Sequence, residues 1–303
     1  MKILMPTTIT AAMFTSSTVA EPAASETTWV SAGTYALADK AIRTGTHREY
    51  KCILAHTGRT ALPEDDTTYW EDYGPTLKWA PFDIYASTPA TGASPLTHVV
   101  SPGFAKDVSL YGLVGTTATL TVKDGPGGAT IDTRTTSLYA ESYGLYEYLF
   151  GPKLQKTKVV FSDLVIHPTA EFTLAITGSG TMALGMFNIG TFFSILGDWG
   201  GTHYGASAEP MTYSRIRTNP DTGIVSIRRG NTATSMRASV VLPTDTANVA
   251  LDIMRRVLGL PVSYVASDAV DYEGLNVFGL GSASLAYETY GMTRMSFTVK
   301  GMI

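Results

Sequence analysis

The sequence contains a single cysteine, Cys52, among 303 residues. One thiol excludes an intrachain disulfide and any metal site built on several cysteines. Because a free cysteine is usually buried, we expect Cys52 to be a small apolar residue of a core. No run approaches the ~20 consecutive apolar residues that a membrane-spanning helix requires, so no contact with a membrane is expected.

Charged residues are also scarce, at 16% of the chain against the roughly 25% that is usual in globular proteins. The 26 acidic and 22 basic residues give a net charge of −4, and no lysine-rich or arginine-rich run stands out. A nucleic-acid groove needs a basic stripe that neutralises phosphates, so no nucleic-acid partner is expected. Low charge is typical of β-rich folds and of subunits whose surface is covered by neighbours in an assembly.

The sequence has no recognisable catalytic or metal-binding constellation. None of the five histidines pairs with another or with a carboxylate at helical spacing, and the G-x-S-x-G elbow is missing. We interpret His203, near Asp198 in a glycine-rich loop, as a structural or interface residue. The acidic clusters at 64–66 and 71–72 lack the apolar surroundings that raise a carboxyl pKa in glycosidases. They are interpreted as solvated turn carboxylates, with a weak calcium site as the alternative. The sequence therefore predicts neither an enzyme nor a cofactor.

Turn signals and strand-prone runs predict a mainly β chain in four parts. Residues 1–28 are predicted to be an extended N-terminal arm, and residues 29–80 a small aromatic-rich β module. Residues 81–196 read as short strands between Gly/Pro turns, which favours a β-sandwich or jelly-roll-like domain. Residues 197–303 are predicted to form an α+β domain with one helix on a β-sheet.

The N-terminal segment also resembles a secretory signal, because Thr18-Val19-Ala20 is similar to a signal-peptidase site. Pro6 and the Thr and Ser residues that follow would interrupt the apolar region of such a signal. An uncleaved arm that lies extended against another subunit is therefore expected, since a short arm alone buries too little surface to hold one conformation.

One helix is predicted with clear start and stop signals. Pro243-Thr244-Asp245 predicts an N-cap, Gly259 a left-handed stop, and Pro261 prevents continuation. Between them, apolar residues recur by threes and fours at Ala247, Ala250, Leu251, Met254, Val257 and Leu258.

Aromatic residues are concentrated in one segment of about fifty residues. Flat rings stack on the C–H faces of pyranose sugars and bury large area at little entropy cost. The candidate carbohydrate-binding residues are Trp29, Tyr35, Tyr50, Trp70, Tyr73 and Trp79. The alternative is that a module this short needs bulky aromatics simply to have a core.

The order of residues in this segment resembles the small chitin-binding modules of bacterial chitinases. The matching features are Trp29, Tyr35, the Asp39-Lys40 turn, the strand Tyr50-Lys51-Cys52 and the closing Trp70. The segment departs from the family at two places. First, an alanine precedes the aspartate of the turn, where the family has glycine. The second departure follows the cysteine. The sequence Ile-Leu-Ala-His follows the cysteine, where the family has an exposed aromatic pair that helps to grip chitin.

Residues 69–83, Y-W-E-D-Y-G-P-T-L-K-W-A-P-F-D, resemble the W-x-D-x-G-P-T-N-R-W-x-x-F-D segment of a family of tailed-phage tail proteins. Residues 13–22, Thr202-His203-Tyr204-Gly205 and Tyr213-Ser214-Arg215 are similar to that family as well. The resemblance implies a virion structural protein of the tail tip or baseplate, with other tail proteins as partners. Together with the low charge, it predicts a symmetric homo-oligomer.

A second hypothesis is a receptor-binding protein of the tail that uses the aromatics on host surface glycans. Buried rings at Trp29, Tyr50 and Trp70 would favour the structural role, and a planar exposed row would favour glycan binding. An enzyme such as a glycan depolymerase is a distant third hypothesis.

Overall fold

The computed structural model describes residues 1–84, 87–140, 144–151, 153–195, 201–218, 220–267 and 270–302. As predicted, the chain is mainly β. The strands are β1 (Lys2–Pro6), β2 (Phe14–Ser17), β3 (Thr34–Tyr35), β4 (Lys40–Arg43), β5 (Arg48–Cys52), β6 (His56–Thr57), β7 (Trp70–Pro75), β8 (Ala90–Ala93), β9 (Leu96–Val100), β10 (Asp107–Tyr111), β11 (Thr117–Lys123), β12 (Thr130–Ser137), β13 (Lys158–Phe161), β14 (Glu171–Thr177), β15 (Thr181–Leu184), β16 (Met186–Ser194), β17 (Ser207–Thr212), β18 (Arg215–Thr218), β19 (Val225–Arg228), β20 (Thr232–Pro243), β21 (Val262–Val265), β22 (Asn276–Thr289) and β23 (Met292–Gly301). The helices are α1 (Leu145–Phe150), α2 (Thr244–Val257) and the short 3-10 segments Ala80–Phe82 and Val270–Leu275.

Contacts divide the chain into two compact units. Unit 1 comprises Met1–Pro6 with Gly190–Ile303, and unit 2 comprises Thr7–Ile189. This grouping differs from the four parts predicted from the sequence. Residues 196–200, where the sequence places its last boundary, lie outside the described residues.

Unit 2 contains an antiparallel five-stranded sheet in the order β12-β11-β14-β9-β2. In β11 every second residue is buried, and Ala118, Leu120 and Val122 face the core while threonines alternate with them. This period of two is typical of a strand with one buried face. Leu120 lies opposite Leu174 of β14, and both side chains are fully buried in the main core cluster of the unit.

Unit 1 contains the antiparallel strand order β1-β21-β22-β23-β20-β17, and residues 190–194 of β16 pair with β1. Helix α2 packs on this sheet through Ala250, Met254 and Val257, which share a core cluster with Val240 and Phe297. Among the described residues, no helix is both long and apolar enough to cross a membrane.

Helix α2 confirms the predicted helix but not its predicted cap. Pro243 occupies the N-cap with an extended backbone, and no side chain caps the first turn. The Thr244 hydroxyl instead lies 3.2 Å from the Thr293 hydroxyl, so it connects the start of α2 with β23. Gly259 has a φ of +81°, which fits the left-handed stop predicted from the sequence.

The first strand pairs within the chain, whereas the sequence predicted an extended arm that lies against another subunit. Ile3 pairs with Phe193 of β16 on one side and with Tyr264 of β21 on the other. Ile3 and Leu4 are fully buried, and Ile3 belongs to the core cluster of unit 1. Farther along, Phe14–Ser17 pairs with Leu96–Val100 in the five-stranded sheet of unit 2.

Candidate functional site

The six candidate aromatic residues lie on or beside a small three-stranded sheet in unit 2. Strands β4, β5 and β7 form this antiparallel sheet, with Tyr50 opposite both Ala41 and Asp72. The last pair of β5 and β7 is Cys52 and Trp70. Strands β3 and β6 form a two-stranded sheet next to it in sequence, in which Tyr35 pairs with His56. The strand pairing therefore brings together residues that are up to 27 positions apart, as in the pair Arg48 and Pro75.

Four of the six candidates form a core. Trp29, Tyr35, Tyr50 and Trp70 are each less than a tenth exposed, and they share one cluster that also contains Cys52. The rings of Tyr35 and Trp70 meet edge to face with centroids 4.8 Å apart. The phenol oxygen of Tyr35 accepts a 2.7 Å hydrogen bond from the Val30 amide, which fixes this ring. Protein covers these rings, so they present no open face for a sugar to stack on.

Cys52 is buried, as predicted, and its Sγ donates to the Leu54 carbonyl at 3.2 Å. Burial raises the pKa of the Cys52 thiol. His56 occupies the region where chitin-binding modules have an exposed aromatic pair. Its ring lies 5.4 Å from the Trp70 ring and 5.2 Å from the Tyr69 ring, edge-on to both. His56 therefore packs against the buried cluster.

Tyr73 is the one candidate of the six whose side chain is more than half exposed, at 55%. The Lys40 ammonium lies 3.4 Å from the centre of its ring. A cation over an aromatic face stabilises the pair by about 0.5–1 kcal/mol at an exposed site. Lys40 also pairs with Glu49 at 3.0 Å, so one face of the Tyr73 ring is bordered by an ion pair.

Trp79 lies between the module and the five-stranded sheet, both within unit 2. Its ring stacks on His47 at 4.6 Å and meets Phe14 edge to face at 5.0 Å. It is half-buried and packs against the main core cluster of the unit, beside Phe82. Trp79 therefore contacts both the aromatic module, through His47, and the core cluster of the five-stranded sheet.

Two glutamates of the predicted N-terminal arm bind residues 76 and 77, which follow β7. Glu21 Oε1 accepts a 2.7 Å hydrogen bond from the Thr76 hydroxyl, and both oxygens of Glu21 lie 3.0 Å from His47 Nδ1. Glu26 accepts hydrogen bonds from the Leu77 amide at 2.5 Å and, through its other oxygen, from the Ala23 amide at 2.8 Å. Sequence reasoning missed these residues because no local pattern marks a carboxylate whose partners lie about fifty positions away.

Three residues of the acidic clusters are paired with arginines. Glu64 lies 3.1 Å from Arg43, and Asp66 lies 2.9 Å from Arg59. Asp66 is buried, which differs from the solvated turn carboxylate expected from the sequence. The guanidinium compensates its charge, since a carboxylate is rarely buried without a partner. The single N–H of Arg48 Nε is shared between the two carboxylate oxygens of Asp72, at 3.0 and 2.9 Å.

His203 belongs to unit 1, whereas the aromatic module belongs to unit 2. It is exposed, with its Nδ1 3.4 Å from the Tyr204 carbonyl oxygen. It lines a cavity of about 850 Å³ together with Ser267 and Tyr272. Asp198, which the sequence places near it, is outside the described residues.

Within the described ranges, no group of three or more His, Cys, Asp or Glu side chains is arranged to hold a metal ion. The geometry therefore offers a buried aromatic framework, one exposed ring and a set of charged pairs on the module. Comparisons with known protein families, with curated proteins and with solved structures found no match for this chain.

Proposed function

We propose that this chain is a non-catalytic structural protein of a tailed bacteriophage virion. It is a component of the tail tip or baseplate, assembles as a symmetric homo-oligomer and contacts other tail proteins. The observation that carries the proposal is the role of residues 69–83, whose sequence resembles a segment of phage tail proteins. These residues form the framework that joins the aromatic module to the neighbouring sheet.

Individual residues of that segment support this view. Trp70 belongs to the core of the module, and Thr76 is fully buried and bonded to Glu21. Trp79 and Phe82 pack against the core of the five-stranded sheet. A segment used in this way positions one part of a subunit against another, which a rigid component of an assembly requires.

The same proposal covers the finer architecture. Residues 29–80 are a chitin-binding-like module that acts as a rigid spacer or docking surface, and residues 81–196 a β-sandwich domain. Residues 197–303 are an α+β domain with one helix on a sheet. The separate core cluster of the module, made of residues between 29 and 70, supports its treatment as a distinct folding unit.

The alternative is a host-surface glycan-binding protein of the tail, and one observation favours it. Tyr73 is exposed on β7 beside Lys40, an arrangement that could stack on a sugar and donate a hydrogen bond to it. A glycan array with the full chain and with Tyr73→Ala separates the two hypotheses. We expect no glycan signal from either protein; a signal that Tyr73→Ala abolishes would favour the alternative.

The location of the chain in assembled particles tests the main proposal. Purified virions that encode this chain are analysed by mass spectrometry and by cryo-electron microscopy of the tail. We expect the chain in stoichiometric amounts at the tail tip or baseplate, in a symmetric ring. Its absence from virions, or its presence only in infected-cell lysate, would refute the proposal.

A further inference from the structure

Strands β18 and β19 form a two-stranded hairpin in unit 1 that is exposed along its whole length. We call residues 213–230 the hairpin arm; residue 219 in its turn is outside the described residues. At its base, the Tyr213 amide donates to the Asn231 carbonyl at 2.9 Å, and the Gly230 amide to the Ser214 hydroxyl at 3.1 Å. A Cβ at Gly230 would lie 2.4 Å from the Tyr213 carbonyl oxygen, so the close approach of the two strands requires glycine there.

The two faces of the hairpin arm differ in chemistry. Residues directly opposite each other in an antiparallel pair share a face, and successive residues alternate between faces. Ile216 lies opposite Ile227, while Arg215 lies opposite Arg228. One face therefore carries Ile216, Thr218, Val225 and Ile227, and the other carries Arg215, Arg217, Ser226 and Arg228.

The isoleucine face is uncovered in the single chain. Ile216 and Ile227 are 69% and 67% exposed, and Val225 is 54% exposed. A two-stranded hairpin alone is marginally stable in water, and contiguous exposed apolar patches commonly mark interaction sites. The arginine face has no carboxylate partner among the described residues either. Both faces of the arm thus fit a surface outside this chain.

The distribution of charge indicates which kind of partner the hairpin arm binds. The hairpin arm has four arginines and one aspartate, a net charge of +3. Because the whole chain carries −4, the residues outside the arm carry −7. A second copy of the chain therefore attracts the arm, whereas an anionic membrane or a nucleic acid would repel the remainder of the molecule.

We infer that the hairpin arm docks onto a second copy of this chain, with its isoleucine face on apolar surface and its arginine face beside carboxylates. This inference deepens the proposed function, on which it rests for its biological setting, by naming the surface that builds the homo-oligomer. The contact is heterologous, since an arm on one copy meets a different surface on the next. Repetition of such a contact closes a ring or extends a filament.

Sedimentation equilibrium of the full chain, from about 1 to about 100 µM, tests the docking. We expect reversible association that weakens by about tenfold when salt is raised from about 0.05 to 0.5 M, because exposed ion pairs are screened. The double variants Ile216→Thr/Ile227→Thr and Arg215→Glu/Arg228→Glu should each weaken association by about tenfold or more. Threonine keeps the β propensity of the strands. The matched control is Val249→Thr, an exposed apolar residue of α2, which should associate like the wild type.

A label on the arm provides a readout that does not depend on those variants folding. Cys52 is buried, so a Ser226→Cys variant carries a photo-reactive group only on the arginine face of the arm. Cross-links between copies, from the arm to the body of a second chain, are expected. A monomeric wild type at about 100 µM, or association with no cross-link from the arm, overturns the inference. So does binding to anionic vesicles or to DNA that the arginine variant loses, in the absence of self-association.

The same variants separate this inference from the proposed function. If virions contain the chain and incorporate both arm variants normally, the docking role of the arm is wrong and the structural role stands. If virions lack the chain while the purified protein associates through the arm, the structural role in the virion is wrong and the docking stands.

Discussion

The Thr76 hydroxyl donates a 2.7 Å hydrogen bond to Oε1 of Glu21, a residue 55 positions earlier in the chain. The side chain of Glu21 is only 6% exposed, and the same carboxylate also contacts His47. One carboxylate thereby joins three separate segments: the start of the chain, the turn before β5, and the segment after β7. The position of the aromatic module within unit 2 depends on this junction.

Replacement of Glu21 should therefore destabilise unit 2 although the residue lies in an irregular segment. In Glu21→Ala the buried hydroxyl of Thr76 loses its acceptor, which typically costs about 1–3 kcal/mol of unfolding free energy. Urea unfolding of the full chain measures this loss. Glu71→Ala is the matched control, because Glu71 is solvent-exposed on β7 and should change stability by less than about 0.5 kcal/mol.

A double-mutant cycle isolates the Glu21–Thr76 pair from the contact with His47. Thr76→Val removes the hydroxyl and keeps the shape of the side chain. We expect it to cost less in the Glu21→Ala background than in the wild type, with a coupling of about 1 kcal/mol. Equal costs in the two backgrounds would show that the hydrogen bond does not stabilise the fold.

Trp70→Ala should unfold the aromatic module instead of removing a binding activity from a folded one. Truncation of a buried tryptophan typically costs about 3–5 kcal/mol, and Trp70 is 2% exposed. Cys52, its partner across β5 and β7, reports the opening, because it is buried and the chain has no other thiol. A thiol reagent should label Trp70→Ala rapidly and the wild type slowly.

Tyr73→Ala is the control for this prediction, since Tyr73 is exposed on the same strand. It should leave both the labelling of Cys52 and the thermal midpoint close to those of the wild type. A Trp70→Ala protein that keeps Cys52 protected but loses a glycan bound by the wild type would instead favour the glycan-binding alternative.

His98 should make unit 2 less stable at acid pH. It is fully buried on β9, and burial lowers the pKa of its imidazole to about 4 from an ordinary value near 6.5. In this pH range the unfolded state binds a proton that the folded state does not bind. The free energy of unfolding therefore decreases as pH falls from about 6.5 towards 4. Between about pH 7.5 and 5 this loss is about 2 kcal/mol.

Urea unfolding at several pH values checks this dependence in the wild type, in His98→Leu and in His203→Gln. His98→Leu should lose the component between pH 7.5 and 5, because leucine has no proton to gain. His203 is exposed, so His203→Gln should follow the wild type. An unchanged slope in His98→Leu would contradict the assignment to this imidazole.

Helix α2 should stabilise unit 1 through its buried face. Met254 is 3% exposed and packs in the core cluster of that unit, so Met254→Ala should cost about 2–5 kcal/mol. Val249 lies on the same helix and is 62% exposed, and Val249→Ala should be nearly neutral. Calorimetric unfolding of the two variants measures the difference. Similar costs at both positions would contradict the observed packing of the helix.

The amino-acid sequence by itself determined the features that depend on local pattern. Strand-prone runs between turn signals predict strands such as β11, and apolar spacing by threes and fours from Ala247 to Leu258 predicts α2. The aromatic content of the short module predicts either a core or a sugar-binding surface, and sequence alone leaves both open.

Only the tertiary structure decided between alternatives that depend on distant neighbours. Antiparallel pairing of β5 with β4 and β7 places Tyr50 and Trp70 inside a core, while Tyr73 remains outside. Glu21 acquires its role from Thr76, and Ile3 from its pairing with Phe193 and Tyr264. A local pattern reports which side of a strand is apolar. Which segment covers that side is set by packing between residues far apart in the chain, and periodicity does not encode it.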